Sequence, residues 1–337
     1  MAYSIRQIFE PTIWEAFVRS QLYTVFVQSS HYADFYASMG EKTWIFGVYD
    51  DANKLVGGSL VVSVSAKRGN FLFLPYGPIG LYDGKLFHEL KRLAQSEGYH
   101  FIRVSPFLDD TKNHQEEFKR FGFHHAPMHI LAETTWLLDI GDEEDDLLQL
   151  MNKNHRNLIR RCLKEGVRVE LSTHASALQR FNDLLDTTTA RHRFQRFSRT
   201  YIEKEFFAFA RKGEALILEG YLPNGTLESS AIVMYYGKMA CYRHGASLGQ
   251  EKRLPASYAV QWSAIREAKR RGMRWYNFWG IAPPRSTPRH PFYGITHFKK
   301  GFGGFEKQLL HCQDLPTSSR YWLSWTIETV RRLKRGF

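Results

Sequence analysis

Glu267-Ala268-Lys269-Arg270-Arg271-Gly272-Met273-Arg274-Trp275-Tyr276-Asn277-Phe278 reads as the end of a helix, a glycine stop and an aromatic strand. The same order stands earlier in the chain. Leu93-Ala94-Gln95-Ser96-Glu97-Gly98 leads there into Tyr99-His100-Phe101-Ile102-Arg103-Val104, aligned without a gap. Glycine just past a helix takes the left-handed conformation that closes it. A second pair of marks follows each copy: Phe118-Lys119-Arg120 with Gly122-Phe123, and Phe298-Lys299-Lys300 with Gly301-Phe302. One such coincidence means little in a chain of mixed strands and helices. Two in the same order, at similar spacing, predict a duplicated α/β domain.

Working outward, 42–49 and 55–64 read as strands of a hairpin across a turn at Asp50-Asp51-Ala52-Asn53. Strands are expected at 71–74 and 101–104, and helices at 86–97 and 116–121. An acidic run from Gly141 to Asp146 marks a boundary, and its carboxylates favour the start of a helix. That helix is expected over 147–163, with Lys153, Arg156, Arg160 and Lys164 on one basic stripe. Helices near 175–185 and 199–210 and strands near 215–221 and 230–236 follow. The first copy is thus expected over 1–141, with 316–337 returning to it, and the second over 142–315.

Composition narrows the classes. The chain has 337 residues, enough for roughly two domains. Lys+Arg 46 against Asp+Glu 34 leaves a net charge of +12, and aromatics reach 15%. Such a surface suits polyanions: nucleic acid, phosphorylated small molecules or an anionic membrane face. A merely solvated basic surface fits the charge equally well. Cys162, Cys241 and Cys312 are far apart and odd in number, so neither a disulfide framework nor a zinc ribbon is expected. No apolar core stands in Met1 to Glu10, and no apolar run reaches about eighteen residues. The expectation is a reduced, cytoplasmic protein. The histidines, His124, His125 and His290 among them, show no metal spacing, and no nucleophile elbow or Walker loop is present.

The segment from Tyr276 to Gly304 departs furthest from what a connector requires. It packs Phe278-Trp279-Gly280-Ile281, the prolines Pro283, Pro284 and Pro291, then Gly294-Ile295-Thr296-His297-Phe298-Lys299-Lys300-Gly301-Phe302-Gly303-Gly304. A plain connector is shorter and more polar. Glycine lets backbone approach a ligand, and its N–H groups with nearby lysines make an anion site. The plainer reading has the aromatics as core and Lys299 and Lys300 as solvated charges. This segment resembles the signature of the FemABX family of peptidoglycan-bridge aminoacyltransferases. Gln28-Ser29, the basic helix Asn154 to Arg161 before Gly166-Val167, and Thr189-Ala190-Arg191 with Phe194 resemble that family's other motifs.

The resemblance implies two tandem acetyltransferase-like (GNAT-type) domains, and here an armless, FemX-like chain without a coiled-coil insertion. It implies transfer of an amino acid from aminoacyl-tRNA, as co-substrate, to an amine of a UDP-linked or lipid-linked muropeptide precursor. The donor ester is already activated, so the acyl step asks for no cofactor and no metal. Lys299 is implied to stabilise the oxyanion or a terminal phosphate, and Phe298 to shape the site. Thr189 and Arg191 are implied contacts of the diphosphate. Tyr36, Tyr242, Tyr258, Asn277 and Lys300 join them as expected substrate contacts. Two departures stand out: Tyr36 occupies the place where the family carries a lysine, and Asn277 the place where it often carries an aspartate. A monomer is expected.

The basic, Trp-containing segment Arg320 to Phe337 has Trp322, Trp325, Thr329 and Leu333 near helical spacing. It reads either as a helix packed back on the first domain or as one touching anionic lipid at the inner membrane face; packing is the favoured reading. Two other functions compete with the transferase. One is an acetyl-CoA-dependent N-acyltransferase, against which Phe298 stands where such enzymes place Arg or Gln in their pyrophosphate turn. The other is a non-enzymatic RNA or membrane-surface binder, which leaves 276–304 unexplained.

Overall fold

The computed structural model describes residues 3–66, 69–192, 195–284, 286–287, 290 and 292–335. In chain order the first segment holds β1 (Ser4–Gln7), α1 (Pro11–Ser20), α2 (Ser30–Ser38), β2 (Thr43–Tyr49), β3 (Leu55–Ala66), β4 (Gly69–Tyr76), β5 (Ile79–Gly80), α3 (Gly84–Ser96), β6 (Phe101–Pro106), α4 (Lys112–Arg120) and β7 (His124–His125). The second holds β8 (Thr134–Asp139), α5 (Glu144–Leu150), α6 (Lys153–Lys164), β9 (Arg168–Ser172), α7 (Ala175–His192), α8 (Arg199–Ala210), β10 (Ala215–Tyr221), β11 (Leu227–Tyr236), β12 (Met239–Ser247), α9 (Ala256–Arg270), β13 (Trp275–Gly280), α10 (Tyr293–Lys300) and β14 (Phe305–Gln308). β15 (Gln313–Pro316) and α11 (Tyr321–Arg335) close the chain.

Two sheets result, ordered β1-β2-β3-β4-β6-β15-β7, with β5 on β3, and β14-β8-β13-β12-β11-β10-β9. Each contains one parallel pair, β4 with β6 and β12 with β13, bridged by α3 or α9. Each second strand of the pair is flanked on its other side by an antiparallel strand. The helix–glycine–strand units read in the sequence are these two crossovers. Gly98 and Gly272 stand just past α3 and α9 with φ of 77° and 72°, which only glycine adopts freely. Leu86, Leu90 and Ala94 on α3 meet Leu72, Ile102 and Val104 in one core; Val260, Ile265 and Ala268 on α9 meet Ala240, Tyr276 and Phe278 in the other. The longest described helix, α7, has 18 residues, so the described residues contain no extended helical arm.

The chain divides into a unit of Met1–Gln21, Val25–Glu133 and Gln308–Phe337 and a unit of Leu22–Thr24 and Thr134–Lys307. The sequence placed these divisions at 141/142 and 315/316. β8 moves the first because it pairs with β13 in the second sheet, and β15 moves the second because it pairs with β6 in the first. The helix expected over 147–163 is two. Met151 ends α5 and Asn152 caps α6, its Oδ1 accepting Asn154 N–H at 3.0 Å, and its own N–H goes to Gly301 O at 2.8 Å. The basic stripe Lys153, Arg156, Arg160 and Lys164 lies on α6 alone.

α11 belongs to the first unit. Arg103 of β6, buried, donates to Asp314 of β15 at 2.7 and 2.8 Å and to Glu328 of α11 at 2.7 Å. This pairing carries the expected return of the helix to the first domain.

Candidate active site

The two parallel pairs differ where chemistry becomes possible. β4 and β6 stay paired from Phe71↔Phe101 through Tyr76↔Pro106. β12 and β13 pair only over Met239↔Trp275, Ala240↔Tyr276 and Cys241↔Asn277. Both strands are then disturbed. The β12 register slips at Ile232/Val233 of its neighbour, leaving Arg243 as the extra residue, and the β13 register slips between Asn277 and Gly280. Bulges of this kind re-aim side chains and part strands.

The bulge on β13 is held by a side chain. Trp279 has φ 65°, an outlier for a bulky residue. Asn277 Oδ1 accepts the Trp279 N–H at 2.7 Å and the Thr135 hydroxyl at 2.6 Å. The Arg243 guanidinium lies 5.3 Å from the Trp279 ring. Glu205 in turn fixes Arg243 at 2.9 Å and takes a hydrogen bond from His244 Nε2 at 2.9 Å. Burial alone would raise the Glu205 carboxyl, but Arg243 and His244 overcome it and hold it at about 2. The Gly280 carbonyl, presented by this bend, accepts a hydrogen bond from Lys299 Nζ at 2.6 Å.

Lys299 enters from α10, where it is the buried residue at 6% exposure while Phe292, Tyr293 and Ile295 are exposed. In the first copy the counterpart Phe118 is buried and Lys119 exposed; in the second, Lys299 is buried and Phe298 half-buried. A position that is exposed in the first copy is thus buried in the second, and carries an ammonium. Burial pulls Lys299 down to about 7. Among the described residues no carboxylate pairs with it. Its Nζ lies 5.7 Å from the ring centroid of Tyr242, whose hydroxyl burial pushes up to about 12. Gly245 makes room for that hydroxyl, since a Cβ there would fall 1.7 Å from it.

Phe298 stands beside Lys299 with its ring 5.1 Å from Tyr258 and 5.2 Å from Phe302. Its carbonyl accepts from His155 Nε2 at 2.9 Å. Burial lowers the His155 ring below its ordinary value, and among the described residues its Nδ1 has no hydrogen-bond partner. The ring lies against Gly301, where a Cβ would come within 2.0 Å. A cleft of about 360 Å³ opens here, lined by His155, Tyr258, His297, Asn154, Asn157 and Arg161.

The second unit therefore brings Lys299, Phe298, Tyr242, Tyr258 and Asn277 around the parting of β12 and β13. The other expected residues lie elsewhere. Lys300 is exposed, pairs with Glu306 at 3.0 Å and lies 4.9 Å from the Trp136 ring. The Thr189 hydroxyl bonds back to Leu185 O at 2.7 Å within α7. Arg191 reaches Ser247 Oγ at 3.3 Å, further along β12. Tyr36 sits in α2 of the first unit, its ring 5.2 Å from Tyr32. Phe194, Arg289 and Pro291 lie outside the described residues. Sequence reasoning missed Arg243 and Glu205, and read Trp279 only as part of the motif, not as the residue at the bend. The one available signal was Glu205 itself, an acid in the apolar run Phe206, Phe207 and Phe209; a left-handed tryptophan has no sequence signature. Chemically, the arrangement offers a desolvated ammonium beside a gap between strands, with aromatic walls. That suits a carbonyl oxygen on which negative charge develops.

Comparison with known proteins bears on this arrangement. The model of the FemAB family matches residues 10–223 and 223–328. The lipid II:glycine glycyltransferase of Staphylococcus epidermidis is 21% identical over 367 aligned positions, covering 86% of this chain and 88% of that protein. Its Staphylococcus aureus counterpart is 21% identical over 295, covering 65% and 69%. A crystal structure of FemX superposes with a TM-score of 0.84 at 18% identity, covering 97% of this chain and 100% of that one. A tandem GNAT protein from the clavulanic acid biosynthesis pathway gives 0.54 at 10% identity, covering 94% and 99%. The fold is accordingly two GNAT-like domains in tandem, and the chain belongs to the FemAB family.

Proposed function

We propose that the protein transfers an amino acid from aminoacyl-tRNA to an amine of a peptidoglycan precursor, nucleotide-linked or lipid-linked. The observation that carries this reading is Lys299, buried where β12 and β13 part, with no carboxylate partner among the described residues. The relatives named lipid II:glycine glycyltransferase support the acceptor class. In the proposed reaction the acceptor nitrogen attacks the ester carbonyl of the donor. The carbonyl oxygen gains negative charge, which the Lys299 ammonium stabilises. The carbon–oxygen bond to the ribose then breaks, the ribose hydroxyl leaves with a proton, and an amide remains. Phe298, Tyr242 and Tyr258 wall the gap, and Asn277 holds the Trp279–Gly280 bend against which Lys299 is seated. A tRNA donor places the reaction in the cytoplasm. Among the described residues no helix is long and apolar enough to cross a membrane.

The start of α9 favours this donor over acetyl-CoA. Pyrophosphates bind at free helix N-termini, and α9 is the helix that follows the bulged strand β12. Its start is already faced by a carboxylate of the chain: Glu228, buried, takes the Gly249 N–H at 3.2 Å and lies against the N–H groups of Ala256 and Ser257. The stretch Phe298 to Gly303, which the sequence set against a pyrophosphate turn, lies at the end of α10 instead.

Replacing Lys299 tests the role directly. In a transfer assay with labelled aminoacyl-tRNA and a muropeptide precursor, Lys299→Ala lowers turnover by at least about tenfold in a folded protein. Unchanged turnover would remove Lys299 from the mechanism.

A further inference from the structure

Helix α11 carries its amphipathic pattern inside out. Its buried residues are Tyr321, whose ring lies 5.3 Å from that of Phe101, and the polar Ser324 and Glu328. Glu328 is held by Arg103, and the Tyr321 hydroxyl donates to Asp314 Oδ2 at 3.4 Å. The opposite face carries Trp322, Leu323, Ile327, Val330 and Leu333, exposed at 52%, 68%, 37%, 46% and 73%. With about 3.6 residues per turn, these five fall on one arc centred away from the buried stripe. A surface helix ordinarily turns its apolar stripe to the core. Here the polar stripe is anchored and the apolar one left in water. Isolated exposed leucines are commonplace; five apolar side chains on one face form a patch of the kind that marks a contact surface.

Charge decides what fits this patch. Arg331 borders the arc, Lys334 falls within it, Arg332 lies in line with the buried stripe, and Arg320 stands at the amino-terminal end; all four are exposed. Among the described residues none of the four is in an ion pair, and the single carboxylate of α11, Glu328, is buried against Arg103. A second copy of the chain would set cations against cations. Trp322 and Trp325 lie together near one end, with ring centroids 6.3 Å apart, and tryptophan favours the headgroup level of a bilayer. We infer that the outer face of α11 docks on an anionic phospholipid surface. The five apolar side chains enter the headgroup boundary, and Arg320, Arg331 and Lys334 meet lipid phosphates. The stripe differs from the one expected at Trp322, Trp325, Thr329 and Leu333, because Trp325 and Thr329 are half-buried. The inference uses α11 alone and stands whether or not the transferase reading does.

Vesicle co-sedimentation of the full chain tests it, with vesicles of phosphatidylcholine alone and with about 30% phosphatidylglycerol. The chain partitions onto the anionic vesicles at least about tenfold more strongly than onto the neutral ones. The doubly substituted Leu323→Ser, Leu333→Ser protein and the doubly substituted Arg331→Gln, Lys334→Gln protein each lose most of that binding, with unchanged melting temperature, since every replaced side chain is exposed. In the unaltered chain, anionic vesicles slow amide hydrogen exchange across 322–333. Equal partition onto both vesicles, full binding by the substituted proteins, or no new protection would each overturn the inference. A dimer in lipid-free buffer that the leucine substitutions dissolve would overturn it in favour of a second copy.

Discussion

Lys299 pays a desolvation penalty that a solvated lysine avoids, and that penalty is measurable as stability. An ordinary lysine in the unfolded chain titrates near 10.5, whereas burial brings Lys299 to about 7 in the folded protein. Below about pH 7 both states hold the proton, and the folded state bears the full cost of a buried ammonium. Between about 7 and 10.5 the unfolded chain keeps a proton that the folded one has lost, so this residue's contribution to stability rises with pH. Lys299→Met removes the charge and leaves the Gly280 carbonyl unbonded. The variant is therefore more stable than the original by about 3 kcal/mol at pH 6, an advantage that shrinks as pH rises to about 10. Urea denaturation across that range is the measurement; a stability difference independent of pH would contradict the burial of a titrating ammonium. The sequence motif pointed at Lys299 because Phe-Lys before Gly-Phe recurs at 118–123. It did not reveal the exchange of burial between Phe298 and Lys299, which depends on how α10 sits against Gly280.

At the scale of elements, the helix–glycine–strand crossovers were readable because a left-handed glycine and an aromatic strand leave local marks. The break between α5 and α6 was not, since it depends on Asn152 bonding to Gly301, a residue distant in sequence. Nor was the parting of β12 and β13, which arises from bulges on both strands. The start of α9 offers a test at this scale. Burial, against three backbone N–H groups, lifts Glu228 from 4.5 to about 7. Below about pH 4.5 the carboxyl is protonated in both states. As pH rises through about 7 the folded state must ionise a buried group, so stability falls in this window. Glu228→Gln, which stays neutral, is more stable than the original by about 3 kcal/mol at pH 8 and nearly equal to it at pH 4.5. Thermal unfolding at the two pH values decides it; a loss of stability at pH 8 would show that the charged carboxylate is needed at the helix start.

For the whole molecule, the duplication and the family were both legible, because each rests on contiguous motifs. The charge of +12 was legible only as a sum. The structure distributes it: Arg103 and Arg243 are spent on buried carboxylates, while α6 and α11 each present cations to solvent. Those two helices belong to different units. Thr189 and Arg191 were expected with Lys299 but bond to Leu185 and Ser247 instead, because a motif reports that residues belong together in a family, not where their side chains end. The choice of donor is tested with the purified full chain given, in parallel, aminoacyl-tRNA labelled in its amino acid and acetyl-CoA labelled in its acetyl group, each with a nucleotide-linked muropeptide precursor. Label is expected on the precursor from aminoacyl-tRNA and none from acetyl-CoA; transfer from acetyl-CoA alone would contradict a tRNA donor.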